Sequence, residues 1–237
     1  VVINAVTGIG SSNALESTTS TLNAVNSGTA GNIEFNETNG LTINRLQQSN
    51  AGGSGNINLT STTGTITIAA AQNGVTTSGS GAITLLADGA AAGQLTVNAV
   101  VTTTSGAITL RADDDVTFSA AGDVTSTSGN IEVTADFDNG GAASGALTMV
   151  DGTIINAGSG TIDINADENI AVGSLQTTSN SATAVTIDST EGAVTDAGDT
   201  HVDIIADSGT VVINAVTGIG SADALESTIS TLNAVNS

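Results

Sequence analysis

Almost every chemistry-bearing side chain here is a carboxylate. Twenty-three Asp and Glu stand against two cations, Arg45 and Arg111, and one histidine, His201, for a formal charge of −21 over 237 residues. The acids recur at one place in a pattern. An Ala-Asp dipeptide follows alternating runs at Ala87-Asp88, Ala112-Asp113, Ala135-Asp136 and Ala166-Asp167, and returns at Ala206-Asp207. If these runs stack as neighbouring strands, Asp88, Asp113, Asp136 and Asp167 form a ladder with rungs about 4.8 Å apart. Bare carboxylates at that spacing repel by roughly 1 kcal/mol even in water. Two devices can offset this. Each Asp can accept a backbone N–H of its own turn, which requires no cofactor. Alternatively, calcium, a hard cation with roughly six to eight oxygen ligands, bridges the rungs through Asp88, Asp113, Asp136 and Asp167 with help from Asp114, Asp115, Asp138 and Glu168.

Other chemistries find less support. Glycoside cleavage needs two carboxyls flanking a bond at a set separation. Asp113/Asp114 and Asp167/Glu168 are acid pairs, but Tyr and Trp are absent as sugar platforms and only Arg111 lies near an acid cluster. The expectation is therefore no enzyme, with paired acids keeping a thin chain soluble. His201 has no Ser-Asp pattern beside it, and Arg45 and Arg111 are expected to pair with neighbouring acids. Gly52-Gly53-Ser54-Gly55-Asn56-Ile57 starts like a calcium-binding nonapeptide but carries Ile57 where Asp is required, so its glycines read as a corner. The sequons at Asn36 and Asn58 are expected by chance in so Asn- and Thr-rich a chain. Thr102/Thr104 and Thr125/Thr127 could stack as outward rows, the pattern of an ice-binding face. With no Lys and two Arg, nucleic acid is excluded as a partner. With no Cys there is neither disulfide nor thiolate chemistry, and a single His cannot build a His-based metal site. No apolar run is long enough for membrane insertion.

The elements that position these residues follow from repetition. Val1 to Ser27 returns as Val211 to Ser237, differing only at Ser12/Ala222, Asn13/Asp223 and Thr19/Ile229, so the long repeat is 210 residues. Residues 1–210 are one repeat, 211–237 start the next, and no separate globular domain is expected. Inside the repeat a looser period brings back a strand at positions 33, 57, 83, 108, 131, 162, 185 and 202. Each is followed by a second alternating strand, as at Val116-Thr117-Phe118, Leu95-Thr96-Val97, Ile170-Ala171-Val172 and Val211-Val212-Ile213. A third, Thr-rich strand follows at Val75, Val101 and Val124. Three short strands with Gly, Asn, Asp and Ser corners describe one coil of a right-handed parallel β-helix, a β-solenoid of about eight or nine coils per repeat. An antiparallel sandwich is the competitor, but it would use varied hairpins and aromatic core residues. Residues 8–20, with Asn13 and Glu16 placed as a capping box, read as a loop or one-turn helix. With 137–146 they are the only loops a binding module could use.

The Gly-Asn-Ile-x-Val/Leu-Thr-Ala and Val-Thr-Ser-Thr-Ser-Gly runs, with Gly40-Leu41-Thr42-Ile43, resemble the large repetitive β-helical surface proteins of bacteria of the filamentous-haemagglutinin adhesin type. The resemblance covers the whole chain and rests on composition rather than on catalytic motifs. It implies a secreted, extracellular or cell-surface protein working as an adhesin, stalk or fibre. Its partners would be neighbouring repeats, like fibres, or host-cell and surface glycans. The chain opens without Met or a basic-then-apolar leader, so it reads as a mature piece of something longer. The alternatives are a polysaccharide-acting β-helix enzyme and a calcium-stabilised carbohydrate- or ice-binding module.

Overall fold

Successive side chains of an extended strand point to opposite faces, so alternation of β-branched residues with Thr, Asn and Asp makes one face apolar. The computed structural model describes residues 1–89, 93–138, 145–220 and 223–237, in which these runs form strands and no helix occurs. The strands stack in parallel as a β-solenoid of about nine turns, consistent with the right-handed winding expected from the sequence.

Each turn has three faces. On the first, Ile33, Ile57, Ile83, Ile108, Ile131, Ile162, Val185 and Val211 lie over one another in register. On the second the column is Leu41, Ile66, Leu95, Val116, Leu147, Ile170 and Val194. On the third it is Leu46, Val75, Val101, Val124, Ile155, Leu175 and Ile204. All these side chains are buried, so the core is one continuous column filled mainly by aliphatic residues. Like stacks on like because a one-residue slip would send every apolar side chain to water.

A glycine corner joins the third face to the first. A Cβ at Gly106 would lie 2.1 Å from the Gly81 carbonyl oxygen, and one at Gly129 would lie 1.8 Å from that of Gly106. Gly55, Gly81 and Gly160 are equally tight against the glycine one coil before. Inside the corner, Thr77 and Thr103 hydroxyls both donate to the Gly81 carbonyl at 2.9 Å, and Ser126 donates to Gly106 at 3.0 Å.

Two local expectations are corrected. Positions 201–204 do not start a first-face strand, and Val211-Val212-Ile213 is not a second-type strand. A single strand, Ile204–Ala215, places Ile204 on the third face against Leu175 and Val211 on the first against Val185. It crosses the corner at 207–209 with a register shift instead of a break. Its two halves each alternate cleanly, so periodicity alone could not place the corner. Residues 8–20 form no helix: Ile9 bridges Ile33, and Leu15–Ser17 pairs with Phe35, Asn36 and Glu37. Of the expected loop 137–146, residues 139–144 lie outside the described residues.

The duplicated 27 residues occupy two phases. In the first copy, Ile9 lies on the first face against Ile33, and Leu22 stacks on Ile43. In the second, the equivalent Ile219 lies on the second face against Val194, and Ile229 lies on the third against Ala206.

Candidate functional site

The structure divides the eight acids singled out in the sequence. Asp88 and Asp113 occupy successive rungs, their preceding alanines in register, with the Asp113 N–H donating to the Ala87 carbonyl at 3.0 Å. The regular column then breaks. Asp136 has φ +55°, a conformation Asp tolerates better than most residues, and Phe137 rather than Asp136 donates its N–H to the Ala112 carbonyl. Asp136 is therefore an inserted bulge residue. Asp113 and Asp136 are buried, Asp88 and Asp138 exposed, and Asp114, Asp115, Asp167 and Glu168 half-buried. Among the described residues, no three of the eight bring carboxylate oxygens within 4.8 Å of one another. Several clasp neighbouring coils instead. Asp114 Oδ2 accepts from Gln94 Nε2 at 3.0 Å, Asp115 Oδ1 from the Ala146 N–H at 2.9 Å, and Asp167 Oδ1 from the Thr190 hydroxyl.

The Asp115 contact belongs to a set that sequence reasoning missed. The residue just before an inward strand start is repeatedly Asn or Asp, and its side-chain oxygen accepts the backbone N–H one coil further on. Asn32 accepts from Asn56, Asn56 from Ala82, Asn130 from Thr161, Asp123 from Ile154 and Asn169 from Ala193, at 2.9–3.0 Å. The signal was visible as Asn-Ile and Asp-Val pairs at strand starts. Each bond satisfies a corner N–H that no strand partner reaches.

Asp203 is the last clasp and the exception. Its Oδ2 accepts the Glu226 N–H at 2.8 Å, as the pattern demands. Its side chain is fully buried instead of outward as the sequence indicated, and its Oδ1 has no hydrogen-bond partner. Asp196 from the second face approaches it, with Oδ1 accepting from the Gly198 N–H at 2.7 Å and Oδ2 buried and without a partner. Asp196, Asp203 and Glu226 each bring a carboxylate oxygen within 4.8 Å of the others, and Asp196, Asp199 and Asp223 do the same. Burial, reinforced by Asp196 and Glu226, pushes the Asp203 carboxyl up to about 7, against the pull of the Glu226 N–H.

The remaining candidates are accounted for locally. Arg111 pairs with Glu132 at 2.7 Å, as expected, and lies 4.3 Å over the Phe137 ring. Arg45 departs from expectation by donating to Gln47 Oε1 rather than to an acid. His201 does have an acid near it: its Nδ1 lies 3.5 Å from Asp151 Oδ1 and 2.8 Å from the Thr200 hydroxyl, which also donates to Asp151. The Thr200 hydrogen bond, ahead of the His201 contacts, holds the Asp151 carboxyl below its ordinary value. A nucleophile relay needs hydroxyl and carboxylate on opposite ring nitrogens; here both meet Nδ1. The outward Thr rows are longer than the sequence revealed. Thr42, Thr67, Thr96, Thr117 and Thr148 occupy successive rungs of the second face. On the third face the Thr125 hydroxyl donates to Thr102 at 2.7 Å.

No family model matches the chain, and no curated protein or solved structure is significantly similar to it.

Proposed function

We propose that the chain is a non-enzymatic structural segment of a secreted or cell-surface tandem-repeat protein, stacked end to end into an extended fibre or stalk. The observation that carries this reading is continuity into the second copy. Ile204–Ala215 runs from the end of one repeat into the start of the next as one strand, and Ser227–Asn236 stacks on it in parallel. No linker intervenes, so neighbouring repeats of the same chain are the natural partners.

The flanks support the same reading. The outward acids and Thr leave the flanks hydrophilic, which keeps a long fibre soluble.

Small-angle scattering of chains with one, two and three repeats tests this. With rungs about 4.8 Å apart and eight or nine coils, each repeat should add roughly 40 Å of length. Lengths that fail to grow by a constant increment of that size would refute the continuous fibre.

A further inference from the structure

A solvated carboxylate cluster is ordinary; a buried carboxylate oxygen with nothing to accept from is not. Glu37 shows how this chain satisfies a buried acid with its own groups: it is fully buried and accepts from the Ser17 hydroxyl and from the N–H groups of Thr19 and Asn39. Asp203 is as buried, yet only its Oδ2 is engaged. Its Oδ1 and the Asp196 Oδ2 are both buried and accept from no donor group of the chain, and the two carboxyls face each other. Glu226 brings a third carboxylate to the same spot.

That concentration of charge needs a positive counterpart, and the chain has almost none to give. Its only Arg and Lys side chains are Arg45 and Arg111. They are bound to Gln47 and Glu132. A proton shared between Asp196 and Asp203 would serve that pair, with Glu226 left to the solvent. A hard divalent cation serves all three. Oxygens around one calcium ion at about 2.4 Å are at most about 4.8 Å apart, and the three carboxylates fall within 4.8 Å of one another.

We propose that Asp196, Asp203 and Glu226 bind one calcium ion at the boundary between consecutive repeats. Asp196 and Asp203 precede Val211, where the second copy begins, and Glu226 follows it. The ion therefore ties the end of one repeat to the start of the next. One of the three differences between the copies, Asn13 to Asp223, adds a further carboxylate beside Asp196. The binding site stands on its own geometry; only its role at every junction rests on the fibre reading.

Isothermal titration calorimetry of the 237-residue chain with calcium chloride, in physiological sodium chloride, tests the site. One saturating equivalent is expected, bound at least about tenfold more tightly than magnesium, whose shorter bonds suit this spread of oxygens less well. Asp203→Asn and, separately, Glu226→Gln should each weaken calcium at least about tenfold. The pair Asp113→Asn with Asp136→Asn should leave it unchanged. Glu226 is exposed, so its variant tests the site even if Asp203→Asn disturbs folding; circular dichroism monitors both. Absence of a saturable equivalent up to about 5 mM calcium, or unchanged affinity in Glu226→Gln, overturns the proposal. Equal affinity for magnesium overturns the assignment to calcium. Neither result bears on the scattering test, so failure of the site and failure of the fibre are distinguishable.

Discussion

Replacing Gly106 by Ala tests one of the tight glycine corners of the fold. The new Cβ would lie 2.1 Å from the Gly81 carbonyl oxygen, 2.5 Å from its carbon and 2.9 Å from the Ala82 nitrogen. All three are backbone atoms and cannot swing aside, so the coils must part by about 1 Å to restore ordinary contact. Parting them strains the Thr103 hydroxyl, which donates to Gly81 at 2.9 Å and accepts the Gly106 N–H at 3.1 Å. Losing two hydrogen bonds costs about 1 kcal/mol each, and overpacking adds about 1–3 kcal/mol. The expected destabilisation is about 3–5 kcal/mol, or a Tm lower by roughly 6–20 °C for a chain of this size. Gly52→Ala is the control, because its Cβ would meet only Asn50 Oδ1, at 3.7 Å. It should be neutral or slightly stabilising by restricting the unfolded chain. Urea and thermal unfolding followed by circular dichroism measure both. A Gly106→Ala variant within about 1 kcal/mol of the parent would show that the corners are not closed by glycine.

Asp163 points outward between Glu132 on one neighbouring strand and Asp188 on the other, and burial first, then these two charges, raise its carboxyl above 3.8 against a hydrogen bond from Asn165. The folded state therefore holds this proton longer than the unfolded state, so its contribution is full below about pH 4 and is lost as pH rises through the raised value. Asp163→Asn should accordingly gain stability over the parent at pH 7, by under about 1 kcal/mol at so exposed a site, and the gain should vanish near pH 3; a gain that persisted there would contradict the assignment. In a two-repeat chain, Thr186→Cys with Val212→Cys, register partners on the first face of a cysteine-free protein, should cross-link on oxidation or with a short bifunctional thiol reagent. Reaction in the 237-residue chain but not in the two-repeat chain would mean that the second copy changes phase within an array.

Most of the architecture was legible because it rests on one-dimensional regularities. Seven of the eight inferred first-face positions, from Ile33 to Val185, fall in one register column. Their alternation has a period of two, and a glycine two residues before six of the seven marks the corner, with Thr183 in its place before Val185. The error came from following alternation over that punctuation, since Gly209 stands two residues before Val211 and no glycine stands two before Val202. Ile204–Ala215 contains two alternating halves around 207–209, and either half satisfies the pattern of any face. The acidic ladder was only half legible. Asp88 and Asp113 do succeed one another, but the bulge at Asp136 depends on backbone conformation, which spacing does not report. The cluster at Asp203 was hidden for a different reason. Alternation assigned Asp203 to the outside, and Asp196 and Glu226 lie on different faces, so only the winding of the chain brings them together.

The two phases of the duplicated segment show what repetition leaves open. Val-Val-Ile-Asn-Ala-Val and Thr-Leu-Asn-Ala-Val-Asn alternate without a glycine corner inside them, so each can lie on any of the three faces at similar cost. Neighbours then decide. The first copy is held from above by the coil at Ile33 and Phe35. The second is held from below by Val185 and by Ile204–Ala206. In a tandem array every copy has both neighbours, so the segment must meet a first-face strand at Val211 and another at the next repeat's counterpart of Ile33, 32 residues later. One wide coil can do this, much as the chain already spans the 31 residues from Ile131 to Ile162 in a single turn, provided that 231–236 leave the first face, where they stack on 210–215 in this chain. Such a coil keeps 227–229 on the third face, next to Asp203. A cation held by Asp196, Asp203 and Glu226 would therefore favour the same phase that continuity from the preceding repeat requires. The junction is where the strand pattern specifies least, and it is also where the unpartnered carboxylates gather.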